Sequence, residues 1–273
     1  MFNCIKESFK ITNMNLIIAT PLILFSLIST LYLIFSSGKS IIGNIFTIAL
    51  FFLMISAFLS GWFYMVMKAV KEPTVDKNNL ISESFFSGVG EYFVPIMGMI
   101  IIMAVISSIV IVAATFLGKY YIGNPGISST ELSNALYSID TMKKFVESLT
   151  QEQLIKINLW NALLFIALLI NEFVIMLYAP SIFFKKKNPF IAFFISIKDL
   201  FSRHFFKNIG IFLFIFIIYT TLSTLTTIFN NNIIAHFILT LANFYFISYL
   251  VVLVFNYYYS NYAKIGSNID QNI

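Results

Sequence analysis

Long apolar runs alternate with short polar connections along the whole chain. A membrane-spanning helix needs about 20 apolar residues, because roughly 30 Å of hydrocarbon is crossed at about 1.5 Å per residue. The 56 residues from Asn208 to Ala263 contain no Asp, Glu, Lys or Arg, which is too long for one span and suits two, separated by Asn230–Asn232. The pattern predicts six spans, at residues 16–35, 43–67, 93–117, 158–183, 209–228 and 233–259.

A short amphipathic segment precedes each odd-numbered span. Its apolar residues recur every three or four positions, as on one face of a helix. The three stripes are Phe2, Ile5 and Phe9; Ile81, Phe85, Val89 and Phe93; and Phe190, Phe194, Ile197, Phe201 and Phe205. Such helices with basic flanks tend to lie in the plane of the membrane interface. The sequence therefore predicts an all-α membrane protein of three repeats, each an interfacial helix followed by a helical hairpin. The alternative is that polytopic proteins generally have amphipathic approaches to their spans.

Only the connection at residues 118–156 is long. It contains two capping-box patterns, Ser128-x-x-Glu131 and Thr150-x-x-Gln153, and Asp140 offers a third helix start. We expect short helices in this loop, within a single transmembrane domain that covers residues 1–273.

The composition supports membrane insertion and excludes several other classes. Hydrophobic residues make up 59% of the chain and charged residues only 11%, whereas soluble domains carry roughly 25% charged residues. The net charge of +5 is too small and scattered to predict nucleic-acid binding. Cys4 is the only cysteine, so the chain has no internal disulfide.

The distribution of Lys and Arg predicts the orientation. The N-terminal segment, the second and fourth connections and the C-terminal segment together carry twelve of these residues, and the first and third connections carry five. Because cytoplasmic loops are enriched in Lys and Arg, both termini are expected in the cytoplasm, with the spans in the cell membrane.

Five basic residues form a predicted patch on the cytoplasmic side: Lys185, Lys186, Lys187, Arg203 and Lys207. Near anionic lipid each such charge contributes about 1 kcal/mol. The patch is a candidate contact for anionic lipid headgroups. Ordinary positive-inside anchoring is the alternative.

Glu172, beside Asn171, lies near the middle of the fourth span. A charge at that depth costs about 3 kcal/mol on insertion scales. One interpretation is an intramembrane proton or cation site. The other is a structural polar lock between helices, with Asn171, Ser56 or Ser60 as partners.

Motifs for enzymes, metals and cofactors are lacking in the sequence. Neither His204 nor His236 has a second ligand at metal-binding spacing. The sequence contains no phosphate-binding loop, no His-Glu-x-x-His and no Gly-x-Ser-x-Gly. We therefore expect no catalytic, metal-binding or cofactor-binding residues.

Two stretches resemble segments of bacterial six-span membrane protein families of unknown function. The residues are Ser60–Tyr64 through Lys68, Glu72-Pro73, Phe86 and Gly88, and then Tyr178–Phe183, Lys185–Lys187, Pro189 and Ser196–Phe206. The same pattern is similar to the membrane domain attached to some bacterial glycerophosphodiester phosphodiesterases. The catalytic domain of those enzymes has no counterpart here, so the resemblance implies a membrane topology and no activity.

The leading hypothesis is a non-enzymatic integral membrane protein that organises the bilayer or supports a membrane partner. The alternative is a transporter or permease subunit that uses Glu172. A membrane enzyme acting on lipid is least favoured, because no catalytic group set is present.

Overall fold

The computed structural model describes residues 2–35, 41–72, 78–135, 137–229 and 231–263. Within these ranges all regular structure is helical. The helices are α1 (Phe2–Met14), α2 (Ala19–Phe35), α3 (Ile41–Lys71), α4 (Asn78–Tyr121), α5 (Ser129–Ala135), α6 (Ile139–Ser148), α7 (Gln151–Ile175), α8 (Tyr178–Phe184), α9 (Pro189–Leu200), α10 (Phe205–Ile228) and α11 (Ile233–Tyr258). A 3₁₀ turn, Leu16–Ile18, joins α1 to α2, and a π-helical turn, Tyr259–Ala263, follows α11.

Six segments of the described chain are long and apolar enough to cross a membrane. They are Leu16–Phe35, Gly43–Lys71, Glu83–Tyr121, Gln151–Phe184, Phe205–Ile228 and Ile233–Ala263. Each overlaps one predicted span, so the number and order of spans are confirmed. Several helices extend further than the predicted spans. The chain is an all-α, multi-pass membrane protein.

The approach to the third span differs from the prediction of a separate interfacial helix. Residues 81–93 and the third span form one continuous helix, α4, of 44 residues with Pro95 inside it. No turn separates the two parts, whereas the 3₁₀ turn separates α1 from α2 and residues 201–204 separate α9 from α10. The predicted repeat therefore has a recognisable separate approach helix only at its first and third positions.

The chain divides into two compact units, Met1–Ile102 with Val174–Ile273, and Met103–Phe173. We call the first the bundle unit. In it α1 packs along α11, where the Asn256 amide donates to Ser8 Oγ at 3.0 Å. The Trp62 indole donates to the carbonyl of Ile18 at 2.9 Å, which ties α3 to the turn before α2. Aromatic rings fill its core, and those of Tyr92 and Phe183 stack at 4.2 Å.

The second unit, the hairpin unit, consists of the second part of α4, the helices α5 and α6, and most of α7. Gly118 of α4 lies against the ring of Trp160 on α7 so closely that a Cβ would lie 2.3 Å from it. The Trp160 indole donates to the carbonyl of Gly123 at 3.0 Å. α4 and α7 thus pack as antiparallel neighbours over these residues.

The capping boxes of the long connection form as predicted at two of three helix starts. Ser128 with Glu131 and Thr150 with Gln153 exchange the two expected hydrogen bonds. The start assigned to Asp140 is wrong by two residues. Ser138 caps α6 instead and pairs with Thr141, because its hydroxyl reaches the amide of Thr141 while Asp140 already lies inside the helix.

Candidate functional site: a buried ion pair beneath an exposed apolar helix

The predicted basic patch is divided into paired and exposed residues. Lys185 Nζ lies 2.8 and 3.0 Å from the two carboxylate oxygens of Asp199. Lys187 Nζ lies 2.5 Å from Glu91 Oε1 of α4. Lys186, Arg203 and Lys207 are exposed, and within the described part of the chain they form no ion pair. Only these three of the five residues offer an uncompensated charge to a lipid surface.

Asp199 is the centre of a buried polar network between α8, α9 and α11. Asp199 is only 9% exposed. Its Oδ2 also accepts a hydrogen bond of 2.6 Å from the hydroxyl of Tyr258. The ammonium of Lys185 stands over the rings of Tyr258 and Tyr262, at 5.4 and 5.7 Å from their centres. Salt bridge, hydrogen bond and cation–π contacts together satisfy both charges.

Asn208 extends this network to α10. Its amide donates to the carbonyl of Leu200 at 2.7 Å, and its Oδ1 accepts from the hydroxyls of Tyr257 at 2.7 Å and Tyr262 at 2.9 Å. Asn208 is fully buried. Because each polar group has its partner, the network is a structural tie between helices and leaves no group directed at a ligand.

The sequence analysis did not single out Asp199 or Asn208. A usable signal was present, since Asp199 is the single acidic residue among the apolar and basic residues of 185–207. A lone carboxylate in that setting indicates an ion pair.

Helix α9 and the turn after it expose three of the five residues of the predicted apolar stripe, whereas Ile197 and Phe205 are half-buried. Phe194 is 68% exposed, and Phe190 and Phe201 are similarly open. The buried side consists of Ala192, Ser196, Asp199 and Leu200. In water this arrangement would be unfavourable, because the rings would lose the benefit of burial. It is the arrangement expected of a helix whose outer face contacts hydrocarbon.

Helix α1 is arranged in the same way. Phe2 and Phe9 are exposed, whereas Ser8 and Thr12 are buried against the bundle unit. The hydroxyls of Ser8 and Thr12 donate to carbonyls one turn earlier, at 2.7 and 2.9 Å. Two of the three predicted amphipathic approaches therefore present aromatic side chains outward.

A mostly apolar groove of about 490 Å³ lies in the bundle unit between α2, α3 and the start of α4. Its lining includes Leu24, Phe25, Met54, Phe58 and Phe86. A groove of this composition has the chemistry of a lipid acyl-chain site.

Asn171 and Glu172 occupy opposite environments although they are neighbours on α7. Asn171 is 5% exposed, and its amide donates to Ser107 Oγ at 3.0 Å while its Oδ1 has no donor. Glu172 is exposed. The suggested partners Ser56 and Ser60 instead donate to carbonyls of their own helix.

The structure offers no metal site among the residues it describes: no three His, Cys, Asp or Glu side chains converge. His204, between α9 and α10, has its pKa lowered by burial and by the neighbouring charges of Lys207 and Arg203. Burial likewise raises the pKa of the Cys4 thiol, which leaves it poorly suited to nucleophilic chemistry.

The comparisons with known proteins give no relative from which a function is transferred. No protein-family model matches the chain, and no curated protein and no solved structure matches it. The similarity to bacterial six-span families therefore stays a prediction.

Proposed function

We propose that this chain is a non-enzymatic integral membrane protein of the bacterial cell membrane that organises lipid at the cytoplasmic face. Helices α1 and α9 lie in the interface with their aromatic residues in the acyl-chain region. Lys186, Arg203 and Lys207 contact anionic headgroups there. Both chain termini are on this side.

The observation that carries the proposal is the outward apolar stripe of α9 combined with its buried Asp199–Lys185 ion pair. The ion pair holds the polar side of α9 against the bundle unit, so its phenylalanines have hydrocarbon as their only favourable solvent. The exposed basic residues at the two ends of the same helix add electrostatic attraction to anionic lipid. The apolar groove beside α2 supports the same function.

Lipid selectivity tests the proposal. The purified chain is reconstituted into vesicles of phosphatidylcholine and phosphatidylglycerol, and the immobilised fraction of spin-labelled lipid of each kind is measured. We expect the wild type to immobilise phosphatidylglycerol preferentially. A triple change of Lys186, Arg203 and Lys207 to Gln should abolish most of the preference, because about 1 kcal/mol per charge is lost.

The matched control changes two exposed lysines of α6, Lys143 and Lys144, to Gln. These lie on the predicted opposite side of the membrane and should leave the preference intact. A second variant, Phe190→Ser with Phe194→Ser, should reduce the immobilised fraction of both lipids. Unchanged preference in the triple variant, with helix content retained, contradicts the proposal.

Transport through Glu172 remains the alternative function. The exposed position of Glu172 on α7 gives transport no particular support.

A further inference from the structure

The hairpin unit has two outer faces, and helical geometry defines which residues share each one. Ser107 and Asn171 meet at 3.0 Å in the seam between α4 and α7. The next residue on each helix is turned by about 100° from the seam. Because the helices are antiparallel, these turns run in opposite senses when viewed along the membrane normal. Ser108 and Glu172 therefore lie within about 3 Å of each other in depth and on the same outer face.

A second pair of polar residues lies on this face nearer the outer end. Thr115 follows Ser108 by seven residues and Asn161 precedes Glu172 by eleven, and both spacings return to the same side of a helix. The two residues lie within about 3 Å of each other in depth, by the rise of about 1.5 Å per residue from the seam. We call Ser108, Thr115, Asn161 and Glu172 the polar face.

The opposite face is entirely different in chemistry. At the corresponding positions it carries Ile106, Ala113, Leu163 and Ile170. Both faces belong to the same two helices, so the difference does not follow from depth or from general composition. The polar residues are confined to one side, which is typical of a helix–helix interface inside a membrane.

The hydrogen-bonding capacity of the polar face is only partly used. The hydroxyls of Ser108 and Thr115 donate to the carbonyls of Ala104 and Ile111, each at 2.8 Å, and keep lone pairs available. Glu172 and Asn161 are exposed and have no partner among the described residues. In hydrocarbon an exposed carboxyl and an exposed carboxamide are strongly unfavourable, so these groups require a partner at their own depth.

We propose that the polar face is a dimer interface and that a second copy of this chain covers it. Two copies inserted in the same direction are related by a two-fold axis along the membrane normal, which keeps every residue at its depth. Glu172 of one copy then meets Ser108 of the other, and the reverse contact forms by symmetry. Asn161 meets Thr115 in the same reciprocal way.

The side chains on the polar face are complementary to themselves. A carboxyl group accepts from a serine hydroxyl or, when protonated, donates to it, and a carboxamide both donates and accepts. The exposed apolar residues between the two polar pairs, Val112, Phe165 and Leu168, supply packing. The interface does not depend on lipid selectivity, so the two proposals fail independently.

Energy transfer between labelled chains tests the dimer. Donor and acceptor dyes are attached at Lys143→Cys in a Cys4→Ser background, and transfer is followed as vesicles are diluted with lipid. We expect this background protein to form a dimer, so that energy transfer follows a saturable association curve. Glu172→Leu should weaken association about tenfold, because two symmetric hydrogen bonds between helices are lost.

The control is Ile170→Ala, at the same depth on the opposite face, which should associate as the background protein does. Glu172→Leu adds apolar surface and so favours insertion, which keeps the variant foldable. The proposal is overturned if the background protein is monomeric. It is also overturned if Glu172→Leu associates as the background protein does, or if only Ile170→Ala loses association.

Cross-linking tests the specific pairing. Chains carrying Ser108→Cys and chains carrying Glu172→Cys, both in the Cys4→Ser background, are co-reconstituted and treated with a membrane-permeant oxidant. The expected product is a disulfide dimer of the two different chains, in excess over dimers of either one alone. Equal yields from a mixture of Ile106→Cys and Ile170→Cys chains contradict the assigned face.

Discussion

Lys185 and Lys186 are adjacent in the chain and have opposite surroundings. Lys185 is paired with Asp199 beneath α9, while Lys186 is exposed. Removing one member of a buried pair leaves the other charge without compensation, which costs about 3–5 kcal/mol when burial is complete. The Lys185 side chain is 26% exposed, so the cost is expected to be lower, about 2 kcal/mol.

Lys185→Met should therefore lower the free energy of unfolding by about 2 kcal/mol, and the control Lys186→Met should change it by less than about 0.5 kcal/mol. Denaturant unfolding in detergent, followed by the helical circular dichroism signal, measures both. Equal effects of the two substitutions would contradict a structural role for the ion pair. The two lysines are indistinguishable in sequence, because only the turn between α8 and α9 determines which one points inward.

At the scale of whole helices, close crossings depend on a few glycines. Gly88 of α4 lies at the crossing with α3, where a Cβ would be 2.4 Å from Tyr64 Cβ and 2.8 Å from the carbonyl oxygen of Ser60. Gly90, two residues later on α4, has nothing within 4 Å of its Cβ position. The two positions form a matched pair within one helix.

Gly88→Ala should destabilise the protein by about 1–3 kcal/mol, since the backbones of α3 and α4 must separate. Gly90→Ala should stabilise it by roughly 0.5–1 kcal/mol through helix propensity alone. Thermal unfolding of both variants in the same detergent checks the prediction. A Gly88→Ala variant as stable as Gly90→Ala would show that the helices do not cross so closely.

The existence of these elements could be predicted from sequence, but their junctions could not. Twenty apolar residues specify a span because hydrocarbon leaves the backbone no alternative to a helix. The break before α10 is bridged by a hydrogen bond from the Asn208 amide to the carbonyl of Leu200, which the apolar pattern does not reveal. Likewise three of the five residues of the predicted apolar stripe are exposed, whereas the burial of Asp199 beneath them was not predicted.

At the scale of the whole molecule, the predicted orientation has a direct test. In a Cys4→Ser background, single cysteines replace Tyr137 in the long connection and Lys186 in the turn before α9. A membrane-impermeant thiol reagent applied to intact cells should label the first and not the second, because the Lys- and Arg-rich connections stay in the cytoplasm. Labelling of both in permeabilised cells is the control. The reverse pattern would invert the topology and remove the basis for lipid binding at the inner face.

The length difference between α2 and α4 has a consequence for the membranes in which this chain is stable. α4 has 44 residues and is about 66 Å long, so a bilayer a few ångströms thicker or thinner merely shifts the water boundary along it. With the turn before it, α2 forms the 20-residue span Leu16–Phe35, which is about 30 Å long and has no comparable reserve. Thickness mismatch is therefore concentrated at the first hairpin, and the shortest span sets which compartment suits the protein.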